Sequence, residues 1–213
     1  MMNRTTFLID GFNLYHSLID ANQDLRGKTT KWLDIKSLCS NYLAGIGNKS
    51  KLERIYYFSA LAEHLQSTDP GKVQRHLKYI ECLKSTGIMV ELGRFKPRSV
   101  WCDKCNSQLI RHEEKETDVA ISIKLFEVFM NDECETAVIV TGDTDLAPAM
   151  RSVKRLFPGK TVCSLFPYKR KNYELSMIVH QSFKIKKERY IQNQFPDPVI
   201  LKDGRRISKP ASW

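Results

Sequence analysis

The 213-residue sequence predicts an α/β fold in which a mostly parallel sheet is covered by helices on both faces. Two observations support this prediction. Short β-rich runs alternate along the chain with longer segments of helical periodicity, as they do in βαβ units. The run Ala137–Thr141 is almost wholly apolar, which is typical of a central strand buried on both faces of a parallel sheet.

The N-terminal half contains clear helix start signals. Asp34 is a suitable N-cap, and Pro70 stands at the first helical position after Thr68 and Asp69. Gly87 ends the helix that Pro70 begins. The predicted elements of this half are strands at about 5–9, 54–61 and 88–95 and helices at about 12–24, 34–43 and 69–87.

The C-terminal half continues the alternation after an irregular stretch at 96–113. Its predicted elements are helices at about 116–130, 146–156 and 174–180 and strands at 137–141 and 161–166. We therefore expect one domain over residues 1–185, with residues 96–113 as an insertion, and a C-terminal extension over 186–213. The extension is punctuated by proline, and its Trp213 either docks on the domain or belongs to a disordered tail.

The bulk composition limits the classes of function. Lys and Arg number 34 against 24 Asp and Glu, and a net charge of +10 favours polyanionic partners. No apolar run approaches the roughly 20 residues of a membrane span, and the N-terminus enters a strand without a signal peptide. We expect a cytoplasmic location and no membrane partner. The six cysteines are then thiols or metal ligands rather than disulfides.

Four aspartates form the most informative pattern in the sequence. Asp10 follows the first strand, and both Asp143 and Asp145 follow the apolar strand at 137–141. Asp118 lies near the start of a helix and prolongs its apolar stripe. Because ligands bind beyond the carboxyl ends of parallel strands, we expect these carboxylates at one edge of the sheet. Their mutual repulsion favours a shared divalent cation.

Hard oxygen ligands suit Mg²⁺ or Mn²⁺, with Asp10, Asp118 and Asp143 as ligands directly or through water. Asp145 would be a further ligand or would orient the attacking water. Asn13 lies one helical turn past Asp10, within reach of a phosphate or a ligand water. Taken singly, each aspartate also fits an ordinary turn or helix cap, so the prediction depends on all four together.

Three segments resemble the signatures of the NYN domain family of PIN-like nucleases, including its bacterial LabA-like members. They are Phe7–Tyr15, Glu114–Ala120 and Val140–Leu146, and they occur in the order and spacing of the family. The resemblance covers about residues 5–185. It implies a Rossmann-like three-layer α/β/α sandwich of the PIN-like type.

The same resemblance implies a metal-dependent endoribonuclease. Its activity would be Mg²⁺- or Mn²⁺-dependent hydrolysis of single-stranded RNA by metal-activated water. The acidic positions of the family map onto Asp10, Asp118, Asp143 and Asp145, and its motif asparagine maps onto Asn13. Many nucleases of this class form dimers, so the sequence leaves a homodimer open.

A cysteine pair lies within the irregular stretch. Cys102 and Cys105 have the spacing of half a zinc site, and His112 is a candidate third ligand. A fourth ligand is not evident, and a redox pair or two unconnected thiols are alternatives. Structural zinc is therefore an incomplete hypothesis. The other cysteines, Cys39, Cys82, Cys134 and Cys163, stand in apolar surroundings typical of a core.

Two basic clusters are candidate RNA contacts. The first comprises Arg94, Lys96 and Arg98, and the second comprises Lys169, Arg170 and Lys171 next to Tyr168. A mixture of cations and an aromatic ring suits backbone and base contacts to a single strand. A solvated basic surface explains the same residues equally well.

Two other classes of function remain open from the sequence. The same fold could bind RNA, or regulate a partner, without turnover. Another Rossmann-like phosphotransfer enzyme is also conceivable, although Asp10-Gly11-Phe12 lacks the Asp-x-Asp that haloacid-dehalogenase-type phosphatases carry after the first strand. The intact acidic positions favour the metal-dependent nuclease.

Overall fold

The structure is a computed structural model, and it describes residues 2–213. The strands are β1 (Asn3–Asp10), β2 (Ser50–Ala60), β3 (Met89–Cys102), β4 (Ser107–Lys115), β5 (Thr136–Val140), β6 (Thr161–Phe166), β7 (Gln181–Lys184), β8 (Val199–Ile200) and β9 (Arg206–Ile207). The helices are α1 (Gly11–Asp24), α2 (Ile35–Ser40), α3 (Leu43–Ile46), α4 (Pro70–Ser85), α5 (Thr117–Met130), α6 (Ala147–Leu156), α7 (Tyr173–Ile178) and α8 (Lys187–Gln192). Short 3-10 turns cover Glu63–Leu65 and Thr144–Leu146.

The main sheet has the strand order β4-β3-β2-β1-β5-β6-β7. Every neighbouring pair in it is parallel except β3 and β4, which form an antiparallel hairpin. Strands β8 and β9 form a separate small hairpin near the C-terminus. The predicted mostly parallel sheet is therefore confirmed.

Alternation along the buried strands divides the apolar side chains between two cores. In β1, Phe7 and Ile9 face the core beneath α1, α2 and α4, whereas Leu8 faces the core beneath α5 and α6. All three side chains are essentially inaccessible to solvent. The sheet thus lies between two layers of helices, as the predicted three-layer sandwich requires.

A crevice forms where β1 and β5 lie side by side. From β1 the chain crosses through α1 to β2 on one side, and β5 occupies the other side. Such a reversal of strand order opens a site beyond the carboxyl ends of the two strands. The register pairs Ile9 with Val140, so the residues that follow each strand emerge next to each other.

The prediction that residues 96–113 are irregular is wrong. Strand β3 pairs with β2 only through Gly93, and it then continues with β4 as a two-stranded ribbon whose loop spans 103–106. Neither face of the ribbon packs against a hydrophobic core, so apolar and polar residues show little alternation along it. Cross-strand ion pairs such as Arg98–Glu113, at 2.8 Å, support it instead.

Most other predicted elements are confirmed within a few residues, although the helix expected at 34–43 is divided into α2 and α3. On α4, Val73, Ile80 and Leu83 are buried, whereas Leu77 is 38% exposed. The four cysteines that the sequence assigns to the core are buried. None of the helices within residues 2–213 combines the length and apolar character needed to cross a membrane.

Residues after 185 pack into the core beneath α1 and α2. Tyr190 is fully buried, and its hydroxyl lies 2.7 Å from Ser17 Oγ and accepts a hydrogen bond from the Tyr168 amide. Trp213 docks on the domain, with its ring centroid 6.1 Å from that of Trp32 and 5.6 Å from that of Tyr79. The docked alternative for Trp213 is the one found, and the extension contributes to the same core as the domain.

We predict that Tyr190→Phe lowers the free energy of unfolding by about 1–3 kcal/mol, because it leaves the buried Tyr168 amide without its acceptor. Tyr173→Phe is the matched control, since Tyr173 is 74% exposed and the same change there should cost less than about 0.5 kcal/mol. Urea titration of both variants measures the difference. Equal stability of the two would show that the extension is not part of the cooperative core.

Candidate active site

The carboxylate of Asp10 lies at the centre of the crevice. Asp10 ends β1 and caps α1. Its Oδ1 accepts a hydrogen bond from the backbone amide of Asn13 at 2.9 Å. Its Oδ2 accepts one from Thr141 Oγ1 at 2.8 Å. Only 5% of the residue is exposed, so these hydrogen bonds replace much of its hydration. Each oxygen keeps a second lone pair that could bind a cation.

The loop after β5 carries the next two carboxylates. The hydroxyl of Thr141 accepts a hydrogen bond from the Asp143 amide at 3.0 Å, which connects Asp10 directly to this loop. Asp143 then caps the 3-10 turn Thr144–Leu146, with its Oδ1 accepting from the Asp145 amide at 3.0 Å. Thr141 is thus the hydroxyl that joins the two motifs.

Asp118 reaches the crevice from the first turn of α5. Ile121, Leu125 and Val128 on the same helix are buried against the sheet, as the predicted stripe requires. The turn that leads into this helix places Glu116 in the left-handed region, at φ 80°. That backbone conformation is uncommon for a residue with a side chain, and here it lets β4 turn directly into α5.

Glu114 is a fifth carboxyl group at the site, and the sequence analysis did not single it out. It lies near the end of β4, where Thr117 donates a hydrogen bond to its Oε1. The negative charges of Asp10 and Asp118 act on it. Arg94, Lys96 and Arg98 recur at every second position, and this spacing is the sequence signal for the hairpin. Recognition of the hairpin would have placed Glu114 at the site.

Burial, with further contributions from neighbouring charges, raises the pKa values of three of these carboxyl groups. Burial raises the pKa of Glu114 to about 7, and the charges of Asp10 and Asp118 add to the effect. Burial likewise raises the pKa of Asp118 to about 6, with further contributions from Asp10, Asp143 and Asp145. The pKa of Asp10 is also raised by burial, against the hydrogen bonds from Asn13 and Thr141. All five carboxyl groups therefore belong to one electrostatic cluster.

Two glycines allow the elements that carry the cluster to approach closely. A Cβ atom on Gly11 would lie 2.4 Å from the carbonyl oxygen of Phe58, and one on Gly142 would lie 2.1 Å from that of Arg170. Neither contact is sterically possible. The start of α1 and the loop after β5 therefore pack directly against backbone, which fixes the positions of the carboxylates.

Asn13 has a positioning role in this arrangement. Its Oδ1 accepts a hydrogen bond from the Gly142 amide at 3.0 Å, so the side chain joins α1 to the loop after β5. The predicted contact from Asn13 to a phosphate or a ligand water would have to use its Nδ2 amide. The structure brings Asn13 and the four predicted aspartates to the same edge of the sheet.

The donor set suits a hard divalent cation, although its side chains do not converge on one point. Within residues 2–213, no three His, Cys, Asp or Glu side chains are arranged as a ready-made ligand set. The groups present are nevertheless carboxylates, and burial together with the neighbouring negative charges raises the pKa values of Glu114 and Asp118. Mg²⁺ keeps several of its waters and needs only one or two carboxylates, so this cluster fits such an ion.

The hypothesis of a zinc site with His112 is not supported by the geometry. Cys102 pairs with Ser107 at the tip of the ribbon, whereas His112 pairs with Pro97, roughly 16 Å along the strand. His112 instead stacks on His64, with ring centroids 4.0 Å apart. Amide and thiol hydrogen bonds from Cys105, and the amide of Lys104, lower the pKa of Cys102. Without His112, the two cysteines supply only two of the four ligands that a closed zinc site needs.

Four of the six predicted RNA-binding cations form ion pairs. Lys96 and Lys171 are the exposed exceptions, and neither is in an ion pair within the described chain. The pairs are Arg94–Glu116 at 2.6 Å, Arg98–Glu113 at 2.8 Å, Lys169–Asp24 at 2.5 Å and Arg170–Asp20 at 2.7 Å. Their partners come from other segments of the chain, so the local sequence did not reveal them.

A cavity of about 520 Å³ lies beside the carboxylates, between α1, α4 and the end of β2. Tyr57 separates it from the cluster, since this buried side chain lines the cavity and its hydroxyl lies near Asp10 and Glu114. The remaining walls are mainly aromatic and basic. The sequence analysis did not anticipate this cavity, because its lining comes from residues spread between positions 11 and 213.

Comparison with known proteins identifies the family. The sequence profile of the NYN domain matches residues 4–185, which span the sheet and all five carboxyl groups. The chain belongs to the NYN domain family. The resemblance seen in the three sequence segments is thereby confirmed, and the family accounts for the PIN-like nuclease fold.

Two relatives extend the comparison. The 6-hydroxy-3-succinoylpyridine 3-monooxygenase HspA of Pseudomonas putida is 25% identical over 179 residues, covering 71% of this chain and 55% of that protein. This chain thus spans about half the length of that relative. A protein of unknown function from Vibrio parahaemolyticus shares the fold with a TM-score of 0.55 at 16% identity, over 87% of this chain and 94% of its own.

We predict that Asp118→Asn raises the free energy of unfolding by about 1–2 kcal/mol at pH 8 in EDTA. Folded Asp118 has a pKa of about 6 against an ordinary value of 3.8, so the folded protein holds this proton more tightly than the unfolded chain. The wild type therefore loses stability as the pH rises from about 4 to about 6, and the variant does not lose this contribution.

Urea titrations of wild type and variant at pH 4 and pH 8 measure this difference. Asp103→Asn is the matched control, because Asp103 is exposed at the ribbon tip. Addition of Mn²⁺ at pH 8 should stabilise the wild type more than Asp118→Asn, since the ion offsets the repulsion. A variant that is less stable than wild type at pH 8 without metal would contradict the account.

Proposed function

We propose that the protein is a metal-dependent endoribonuclease that hydrolyses phosphodiester bonds in single-stranded RNA. The single observation that carries this proposal is the cluster of Asp10, Glu114, Asp118, Asp143 and Asp145 at one edge of the sheet of a PIN-like nuclease fold. Such a cluster is electrostatically costly unless a cation is bound.

The proposed roles follow from burial and position. Asp10, Asp118 and Asp143 would hold Mg²⁺ or Mn²⁺, directly or through water, and Thr141 and Asn13 would keep the two loops in register. When bound, the ion would polarise the scissile phosphate and lower the pKa of a water molecule. Asp145 is exposed at the mouth of the crevice, where it could orient the attacking water. Glu114 holds a proton near neutral pH.

Charge supports RNA as the substrate. The net charge of +10 attracts a polyanion over long distances, which offsets the local repulsion between the carboxylates and a phosphate. Lys96 and Lys171 are exposed on the two sides of the crevice and are the predicted contacts without an intramolecular ion pair among residues 2–213. We propose these two as phosphate contacts, and we propose that the ion-paired cations mainly support the structure.

The alternative function is an RNA-binding or regulatory module without turnover. The observation that favours it is the lack of a converged ligand set among the described residues. In that case RNA binding would survive EDTA, and no product would form with any divalent metal.

The distant monooxygenase relative represents another class of chemistry. Its name describes action on a substituted pyridine, and the aromatic cavity beside the carboxylates is of a size that accepts such a ring. The nuclease is favoured because the matched region carries the acidic cluster, whereas the relative shares 25% identity over about half of its length. A binding screen with pyridine carboxylates tests this competing proposal.

We predict that the wild type cleaves a labelled single-stranded RNA in Mn²⁺ and that Asp143→Asn reduces the cleavage rate about 100-fold or more. EDTA should abolish cleavage by the wild type. Gel analysis of time courses under single-turnover conditions measures the rate.

Asp103→Asn carries the same change of charge at the exposed ribbon tip, and it should cleave at the wild-type rate. Thermal melts confirm that each variant is folded. Equal cleavage by wild type and Asp143→Asn would remove the proposal, since it would attribute the activity to another site or to a contaminant.

A further inference from the structure

The cavity beside the carboxylates combines four features that suit a nucleotide. Its volume of about 520 Å³ lies within the range of ligand-binding pockets. Its walls carry aromatic rings from α1, β2, α4, β3 and the C-terminal residues. Cations occur at its rim, and neutral polar groups lie inside it. None of these features is needed by the metal-binding carboxylates.

The aromatic wall begins at the carboxylates. Phe12 follows Asp10 by two residues, so their Cα atoms are at most about 7.6 Å apart. The ring of Phe12 meets that of Phe95 edge to face, with centroids 5.5 Å apart. Phe95 is in turn the cross-strand partner of Glu114. Both rings line the cavity, and each is close in sequence or in strand register to a member of the acidic cluster.

Neutral polar groups lie among the apolar side chains that line the cavity. Ser59 Oγ lies 3.5 Å from His76 Nε2. Burial lowers the pKa of His76 to about 4, so its ring is neutral at physiological pH. A neutral imidazole and a hydroxyl can each donate or accept a hydrogen bond, which suits the edge of a nucleobase.

The rim of the cavity is positively charged. Lys31, Lys72 and Arg75 contribute three cations, whereas Asp69 contributes one carboxylate, 3.5 Å from Arg75. Lys72 is exposed in the first turn of α4, and within residues 2–213 it forms no ion pair. The rim thus has the sign of charge that attracts a phosphate.

We infer that this cavity binds one unpaired nucleotide of the RNA, adjacent to the scissile phosphate, with the base against Phe12 and Phe95 and a phosphate at Lys72 and Arg75. The inference rests on the proposed function, since it takes RNA as the substrate. A base can enter the cavity only when it is unpaired, so the cavity would provide the preference for single strands.

The test uses the ligand first and needs no variant. A fluorescein-labelled RNA heptamer is compared with versions in which one base at a time is replaced by an abasic position. Fluorescence anisotropy in Ca²⁺ and, separately, in EDTA gives the affinity without cleavage. We expect one position at which loss of the base weakens binding by about 5- to 100-fold, the range of a single stacked base.

Variants then locate that position in the protein. Phe12→Leu keeps an apolar side chain without an aromatic face, and it should remove the sensitivity to the abasic position. Phe95→Leu is a second variant in case Phe12→Leu does not fold. Lys72→Glu should weaken binding of the intact heptamer by about 5-fold and reduce the slope of log affinity against log salt by about 1.

Lys78→Glu is the matched control for charge, because Lys78 is exposed on the same helix and does not line the cavity. It should change the affinity less than Lys72→Glu does. Equal effects of Lys72→Glu and Lys78→Glu, together with no abasic-sensitive position, would overturn the inference. Binding of a mononucleotide as tightly as the heptamer would also overturn it, in favour of a free nucleotide as ligand.

These outcomes separate the inference from the proposed function. An abasic-sensitive position that depends on Phe12, in a protein that cleaves no RNA, would leave the cavity assignment intact and remove the nuclease. Cleavage that depends on Asp143, with no effect of Phe12→Leu or the abasic positions, would leave the nuclease and remove the cavity assignment.

Discussion

Repulsion among carboxyl groups at the meeting point of β1 and β5 is the constraint on which the site depends. Asp10 is 95% buried, yet it lies in the field of Asp143, Glu114 and Asp118. A buried carboxylate among others of the same charge opposes folding unless protons or a cation neutralise the group. The rest of the domain must hold these groups in place against that repulsion.

Three features of the fold hold the carboxyl groups in place against their mutual repulsion. The strands β1 and β5 are central and fully buried, so their ends cannot move apart without disrupting both cores. Thr141 and Asn13 join the two loops by hydrogen bonds of 2.8 and 3.0 Å. The close approaches at Gly11 and Gly142 leave no space for the loops to rearrange. These contacts fix the backbone that carries the carboxyl groups.

The sequence located the residues whose position follows from a strand end or a helical stripe. Asp10, Asp143 and Asp145 come directly after buried strands, and Asp118 prolongs the stripe of α5, so periodicity is enough to place them at one edge. The sequence pattern did not reveal Glu114, because the β3–β4 ribbon that carries it is stabilised by charge pairs rather than by apolar alternation. Because residues 96–113 were interpreted as irregular chain, His112 was expected near Cys102, although an extended strand separates the two residues.

Long-range pairing explains the other differences between sequence and structure. The ion pairs of Lys169 and Arg170 use Asp24 and Asp20 from α1, about 150 positions earlier in the chain, and no local pattern specifies them. The cavity has the same origin, because Phe12, Phe95 and Trp213 become neighbours only through the order of the strands and the docking of the C-terminal residues.

A crystal soaked in Mn²⁺ and measured at a wavelength that gives anomalous scattering from manganese tests the central claim most directly. The account predicts an anomalous peak within coordination distance of Asp10 or of a water that Asp10 holds, with Asp118 and Asp143 completing the surroundings of the ion. A saturated crystal with no peak at this edge of the sheet, or with its peak at Cys102 and Cys105, would contradict it.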